Sequence, residues 1–265
     1  MAISDIRPTT RRRISSVTSY VVFFIIILVV ILVMDWATIR QVFLNGSVVK
    51  SMWPTVLRAA GNTLLYTVVS FVGGVALAVV LALMKMSRGP FKVFAVAYIE
   101  LFRGLPALLT IIFMAFAVPI AFHGFQFPGG TIGAGLFALI LVTSAYTAEI
   151  IRAGIAAVPK GQSEAARSLG MTQLGTTFTV ILPQAFRIVI PPLTNELVML
   201  LKDTSLLCVI GSTRLTRELT QFGRDGATTY GSSTPYIVVA AFYLIITIPL
   251  TYLVARLEKR MAVKK

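Results

Sequence analysis

The chain has 265 residues, 57% of them hydrophobic and 13% charged, with a formal net charge of +14. Soluble domains carry about twice that share of charged residues, and the charges missing here are missing from long apolar stretches, which indicates a membrane protein. The basic residues cluster between those stretches, which argues against a nucleic-acid-binding surface. One cysteine and one histidine exclude an internal disulfide and a histidine-based metal site, and argue against a Ser–His–Asp triad.

The apolar stretches predict an all-α membrane protein with six transmembrane helices. The first stretch, residues 17–34, follows three arginines and lacks a small-residue cleavage site, so we expect an uncleaved signal anchor. The other spans are expected at about 61–83, 91–122, 133–155, 188–210 and 235–255. The chain then divides into a basic tail (1–16), an extra helix with an outer loop (17–58), a main domain (59–258) and a basic C-terminal tail (259–265).

The distribution of basic residues predicts the orientation. Of the 24 Lys and Arg residues, 16 fall in segments that six spans place on the same side as the termini, and six fall on the opposite side. The positive-inside rule therefore predicts that both termini are cytoplasmic. Glu149 and Arg152, near the cytoplasmic end of the fourth span, are expected to form an interfacial ion pair.

The third span is too long for one straight helix. Its 32 residues would extend about 48 Å, against a hydrocarbon core of about 30 Å. Gly104 and Pro106 lie in its middle, so we expect a kinked or two-part helix. Glu100 and Arg103 share a helical face close to this break. They either neutralise each other at the kink or face a polar pathway across the membrane.

The longest cytoplasmic connection, residues 156–187, predicts a short surface helix. Gly161 suits the N-cap, Glu164 lies in the first turn, where the helix dipole favours an anion, and Gly170 suits the C′ position. Two alanines and a leucine give this helix a small apolar face that favours docking to a protein over lying on lipid: Ala165, Ala166 and Leu169. Pro183 is expected to end the apolar turn 178–182 before the fifth span.

The fifth span carries polar residues inside the membrane. Asn195 and Lys202 are seven residues apart and share one face, and Glu196 and Asp203 form a second stripe about 100° around the helix. Thr204 and Ser205 continue this polarity, and two neighbouring prolines favour a helix that unwinds locally. A solute pathway and hydrogen bonding between helices both explain such a group.

Two features on the outer side leave alternatives open. Asn62, at the start of the second span, either faces the pathway or packs against a neighbouring helix. Arg214, Arg217, Glu218 and Arg224 form either a solvated face or a contact with an extracytoplasmic protein.

Four sequence blocks carry a resemblance to a known family. The loop has the pattern Glu164-Ala165-Ala166, then Gly170, then Pro183, which is similar to the EAA loop of binding-protein-dependent ABC importer permeases. The blocks are ELFRGLP at 100–106, VPKGQSEAARSLGM at 158–171, LPQAFR at 182–187 and NELVMLLKDTSL at 195–206. Together they resemble the polar amino acid subfamily over about residues 61–255.

This resemblance implies a permease fold that dimerises around a central pathway for a polar amino acid. It implies that the loop helix couples the chain to a separate ATPase subunit, through Gly161, Glu164, Ala165, Ala166, Leu169 and Gly170. The candidate pathway residues are Glu100, Arg103, Asn195, Glu196, Met199, Lys202, Asp203, Thr204 and Ser205. The expected partners are an ATPase dimer, a second permease subunit, identical or related, and an extracytoplasmic binding protein, in the bacterial cytoplasmic membrane.

The chain is not expected to be an enzyme. It has no GxxxxGK[ST] phosphate loop, so ATP and Mg are expected on the partner ATPase, with no cofactor and no metal in this chain. A self-contained secondary transporter is the alternative, but no internal repeat is apparent. Neither GxSG nor GxGD occurs, which argues against an intramembrane enzyme. Acidic and basic pathway candidates leave a cationic and an acidic substrate equally open.

Overall fold

The computed structural model describes residues 8–53 and 55–261, with side chains for 18–53 and 55–259. All regular structure in these ranges is helical. The chain forms two compact units that divide after Gly46, whereas the sequence placed the start of the main domain at residue 59.

The first unit contains helices α1 (Pro8–Val33) and α2 (Trp36–Phe43). Residues 20–33 of α1 are all apolar and exposed, as a lipid-facing helix requires. The carboxylate of Asp35 ends this run and caps α2, accepting from the backbone N–H groups of Ala37 and Thr38 at 3.1 Å each. The apolar run therefore stops where the first residue able to cap a new helix appears.

The second unit contains the remaining helices. They are α3 (Gly46–Met52), α4 (Thr55–Met86), α5 (Pro90–Gly104), α6 (Ala107–Ile112), α7 (Val118–Ala121), α8 (Gly130–Ala156), α9 (Lys160–Ser168), α10 (Gln173–Thr176), α11 (Leu182–Asp203), α12 (Leu219–Tyr230) and α13 (Thr234–Met261). A π-helical turn (Phe113–Ala117) joins α6 to α7, a second (Thr177–Ile181) joins α10 to α11, and a 3-10 turn (Thr204–Val209) follows α11.

Within the described residues, four helical segments are long and apolar enough to cross a membrane: Thr55–Met86, Gly130–Ala156, Gln173–Val209 and Thr234–Lys259. Two bent pairs raise the number of spans to six if each pair counts as one, namely Thr18–Val33 with Trp36–Met52, and Pro90–Gly104 with Ala107–Ala121. These segments follow the order of the six predicted spans.

The predicted break in the third span is confirmed, and it is sharper than a kink. The axes of α5 and the helix that follows it differ by 105°. Leu105 lies in the extended region, at φ −93° and ψ 139°, because the ring of Pro106 disfavours the helical region for the residue before it. One proline therefore separates two helices that point in different directions.

Helix α8 is the centre of the second unit. It packs along α4 and also contacts α5, α6 and α11. Two adjacent glycines of α4 permit the close approach, because a Cβ atom at Gly74 would lie 2.8 Å from Cγ2 of Thr143. Backbones meet closely where small residues line a helix interface in a membrane.

The fifth span differs from its prediction at its start and at its prolines. The helical path begins at Gln173 and is continuous to Val209, so Pro183 does not end a helix. The π-helical turn Thr177–Ile181 widens the backbone just before Pro183, at the place where a proline lacks an N–H and its ring would clash with an α-helical carbonyl. Pro191 and Pro192 lie inside α11 without unwinding it; the helix tightens to 3-10 geometry only after Asp203.

Candidate functional site

Helix α9 in the connection between α8 and α11 is built by local backbone chemistry. It begins after Pro159, which serves as the N-cap residue, so the predicted N-cap at Gly161 is wrong and Gly161 lies in the first turn. At the other end, the N–H of Gly170 donates to the carbonyl of Arg167 at 3.0 Å, and that of Met171 donates to the carbonyl of Ala166 at 3.2 Å. With Gly170 at φ +85°, these bonds form a Schellman motif, which confirms the predicted C′ glycine.

The small apolar face expected on α9 is divided between two sides. Ala166 is buried, with 6% exposure, and packs toward the chain itself. Ala165 and Leu169, four residues apart, point outward together with Glu164. The expectation that Ala166 shares the outer face is therefore wrong, because residues one position apart lie about 100° from each other around a helix.

The outer side of this connection is apolar over a larger area than the sequence indicated. Leu169 is 85% exposed, Leu174 is 71% exposed and Phe178 is 66% exposed. Leu174 and Phe178 lie four residues apart on one helical path and so share a face. We refer to these three exposed residues, Leu169, Leu174 and Phe178, as the loop apolar patch; large apolar side chains exposed together are typical of surfaces that contact another protein or a membrane.

A network of charges fixes the end of α8 from which α9 departs. The predicted pair is confirmed, with Arg152 donating to Glu149 across 3.0 Å. The structure adds Lys85 of α4, which donates to the other carboxylate oxygen of Glu149. Sequence analysis missed Lys85 because it lies 64 residues away and shares no pattern with α8. The network links α4 to α8 near the end of α8 that leads into the connection.

The polar residues of α11 divide into an exposed stripe and a half-buried pair. Asn195, Met199 and Lys202 are exposed, and Lys202 lines a cleft of about 420 Å³ with residues of α13. The amide nitrogen of Asn195 donates to the carboxylate of Glu258 on α13 at 3.0 Å. The predicted common face of Asn195 and Lys202 therefore lies on the side that meets α13.

The remaining α11 candidates are less accessible. Glu196 and Asp203 are half-buried, as is Ser205. Thr204 is fully buried, and its hydroxyl donates to the carbonyl of Leu201 at 2.7 Å. That bond occupies the Thr204 hydroxyl within its own helix, so in this conformation Thr204 supports the turn and does not line an open surface.

The pair predicted on α5 is not an ion pair. In the described part of the chain Glu100 and Arg103 form no salt bridge, and both are exposed. The guanidinium of Arg103 lies over the ring of Tyr146 on α8, 5.6 Å from its centroid. A neutralising pair at the kink is therefore the wrong interpretation, because a cation–π contact holds Arg103 instead.

At the opposite end of α4, three side chains hold the loop that precedes α12. The amide of Asn62 donates to the carbonyls of Leu215 and Arg217 at 2.8 and 3.0 Å. The hydroxyl of Tyr66 donates to the carbonyl of Thr216 at 2.6 Å, and the hydroxyl of Thr63 accepts from the N–H of Leu219 at 3.1 Å. Asn62 thus holds the loop before α12 through both hydrogen bonds of its side-chain amide.

Glu218 completes this arrangement as a buried cap. Its carboxylate accepts from the N–H groups of Thr220 and Gln221 and from the hydroxyl of Tyr243, and the residue is 1% exposed. Burial raises the pKa of Glu218 to about 7, although the two backbone donors favour the charged form and oppose that rise. The expected solvated face therefore does not include Glu218.

Comparison with known proteins identifies the family. Residues 74–263 match the family model described as "Binding-protein-dependent transport system inner membrane component". The chain is 41% identical over 204 residues to the probable glutamine ABC transporter permease protein GlnM of Bacillus subtilis, covering 76% of this chain and 90% of that protein. It is 36% identical over 209 residues to the arginine transport system permease protein ArtQ of the same organism, covering 78% and 93%.

A solved structure agrees with these relatives. The chain superposes with a TM-score of 0.72 and 40% identity on the crystal structure of an amino acid ABC transporter with histidines, covering 81% of this chain and 97% of that one. The family match covers the bundle from the middle of α4 to α13, including the connection that carries α9. The chain therefore belongs to the family of binding-protein-dependent transport system inner membrane components, as a membrane-embedded permease subunit of the ABC type.

Proposed function

We propose that this chain forms the pathway by which a polar amino acid crosses the bacterial cytoplasmic membrane, powered by a separate ATPase subunit. The observation that carries the proposal is the exposed loop apolar patch beside Glu164, on a helix fixed at its C-terminal end by a Schellman motif. The named relatives act on glutamine and arginine, which supports an amino acid as the substrate without selecting one.

The proposed coupling surface consists of Gly161, Glu164, Ala165, Leu169 and Gly170, extended by Leu174 and Phe178. Gly161 and Ala165 leave the helix surface low enough for close approach, and the larger side chains can enter a groove of the ATPase subunit. Glu164 adds one exposed charge. Ala166 and the Glu149 network then transmit movement of α9 to α8 and α4, because they join α9 and its base to the bundle.

The proposed pathway surface consists of Glu100, Arg103, Glu196 and Asp203 with the exposed stripe Asn195, Met199 and Lys202. Charged and polar side chains exposed on membrane helices require water or a partner. A second permease subunit, identical or related, supplies that partner by enclosing the pathway between two copies of α11. Thr204 and Ser205 lie at the 3-10 turn that ends this surface.

The proposed cycle follows from differential binding. The binding protein delivers the amino acid on the outer side, and ATP and Mg bound by the ATPase dimer favour one of two arrangements of the coupling helices. A ligand shifts such an equilibrium only as far as its affinities for the two states differ. The positive-inside distribution supports cytoplasmic termini, and with them a cytoplasmic position for α9.

Reconstitution tests the proposal. The chain, with its ATPase and binding protein, is incorporated into liposomes that contain ATP, and uptake of each radiolabelled amino acid is measured. We expect uptake of one or a few amino acids that requires both partners. Uptake by the chain alone under an ion gradient would replace this proposal with a secondary transporter.

Two variants test the coupling surface. Leu169→Ser removes an exposed apolar side chain and is expected to weaken ATPase binding about tenfold, as loss of an interface anchor does, while leaving the fold intact. Arg88→Gln, in the turn between α4 and α5, is the control with full activity. Wild-type transport and ATPase binding in Leu169→Ser, or in Glu164→Ala, would show that α9 is not the coupling element.

A further inference from the structure

An arginine-lined cavity lies at the end of the bundle opposite α9. It encloses about 1020 Å³ and is lined by Arg58, Arg214, Arg217 and Arg224. Arg58 lies in the first turn of α4 and Lys85 in its last, so 27 residues, or about 40 Å of helix, separate the cavity from the charge network beneath α9. We refer to this feature as the arginine cavity.

Two of the four arginines are held by the protein itself. Arg217 stacks on the ring of Phe222, 4.8 Å from its centroid, and contacts the carboxylate of Asp225 at 3.4 Å. Arg224 reaches the carbonyl of Cys208 at 3.5 Å. These contacts shape the walls, and among the described residues Asp225 is the one acidic residue that lines the cavity.

The other two arginines are available to a ligand. Arg58 and Arg214 are exposed, and neither forms a hydrogen bond or ion pair within the part of the chain that the structure describes. Positive charge on the outer side opposes the positive-inside preference. Four of the six Lys and Arg residues on that side nevertheless line this one cavity, which is unfavourable for membrane orientation and points to binding of an anionic group.

We infer that the arginine cavity receives an acidic surface loop of the extracytoplasmic binding protein. This inference rests on the proposed function, which supplies the partner, and it assigns the surface to which that partner binds. Charge complementarity is the reason that we infer an acidic loop, because guanidinium groups pair with carboxylates in two-point contacts.

The character of the walls favours a protein over a free anion. Leu215, 65% exposed, and Tyr230, 40% exposed, line the cavity beside the arginines. Protein interfaces are enriched in tyrosine and arginine and surround an apolar centre with a polar rim. The cavity volume also lies at the upper limit of pockets that enclose small molecules.

The test measures how the binding protein stimulates ATP hydrolysis by the reconstituted complex. Arg58→Gln and Arg214→Gln are each expected to raise the binding-protein concentration for half-maximal stimulation about two- to fivefold, and the double variant about tenfold, with unchanged maximal rate. The double variant is also expected to lose most of the dependence on NaCl concentration. Leu215→Ala is expected to raise the same concentration without changing the salt dependence.

Lys50→Gln is the matched control, because Lys50 is an exposed basic residue on the same side and does not line the cavity. If wild-type liposomes take up no amino acid, the proposed function fails. If they do, and the double variant retains wild-type half-saturation and salt dependence, the docking inference fails alone. Micromolar calorimetric binding of sodium citrate that the double variant abolishes, with binding-protein affinity unchanged, would also overturn it in favour of a free anion.

Discussion

Replacement of Glu218 by glutamine should remove a pH dependence of stability that the structure places in one side chain. The carboxylate is 1% exposed, and its pKa rises from an ordinary 4.5 to about 7 in the folded protein. The folded state therefore binds more protons than the unfolded state between these two values, so stability falls as the pH rises from about 4.5 to 7 and stays lower above that range.

The magnitude follows from the two pKa values. At about 1.4 kcal/mol per pKa unit, ionisation of Glu218 lowers the free energy of unfolding by about 3 kcal/mol at high pH, and by about 1 kcal/mol at pH 5.5. Between pH 5.5 and pH 8.5 the wild-type protein should lose about 2 kcal/mol through this residue. Glu218→Gln lacks that loss, but it loses one backbone acceptor at the start of α12, which costs about 1–2 kcal/mol at every pH.

The assay is the midpoint of thermal unfolding in detergent, measured between pH 5 and pH 9. Glu218→Gln should be less stable than the wild type at low pH and should equal or exceed it at high pH, so the two curves cross. Asp225→Asn, on the same helix but half-exposed, is the control and should keep the wild-type slope. Parallel curves for the wild type and Glu218→Gln would refute the assignment of the pH dependence to this buried carboxyl group.

Three further predictions concern the packing around the two ends of the bundle. Gly154→Leu should lower the free energy of unfolding by about 1–3 kcal/mol, since a Cβ atom at this position would lie 2.1 Å from a methyl group of α11. Gly61→Ala, where a Cβ atom would have nothing within 4 Å, should not lower it, and equal effects of the two substitutions in thermal unfolding would contradict the close approach. Lys85→Met should destabilise the protein by more than Arg152→Gln does, because Lys85 is 17% exposed and Arg152 is 38% exposed; the reverse order would make Arg152 the main partner of the carboxylate. Asn62→Ala removes two hydrogen bonds and should lower the free energy of unfolding by about 1–2 kcal/mol. It should also accelerate hydrogen exchange in residues 215–219, and unchanged exchange would show that this loop is stable without the Asn62 side chain.

The family and the positions of the apolar stretches could be predicted from the sequence, because both leave local signals. An apolar stretch of about 20 residues can be recognised without knowledge of any tertiary contact, since its length matches the thickness of the bilayer. The break at Pro106 and the C′ glycine at 170 are also local, because they depend on the backbone limits of proline and glycine. These predictions are confirmed by the bent helix pair and by the Schellman motif.

Several contacts of the polar side chains could not be predicted, because they join residues that lie far apart in the sequence. Lys85 pairs with Glu149 across 64 positions, Asn62 holds a loop more than 150 positions away, and Arg103 stacks on Tyr146 instead of pairing with Glu100. The same applies to Pro183, where a π-helical turn keeps the fifth span continuous.

The apolar stretches, the break at Pro106, the C′ glycine at 170 and the loop motif were determined by the sequence itself, because membrane insertion and local backbone sterics act on short segments. The pairing of polar groups, the two-sided character of α9 and the gathering of four arginines around one cavity were decided by the tertiary structure. The physical reason is that a buried or membrane-embedded polar group is stabilised by whichever partner packing brings within hydrogen-bonding distance, and sequence spacing identifies that partner only within one helix.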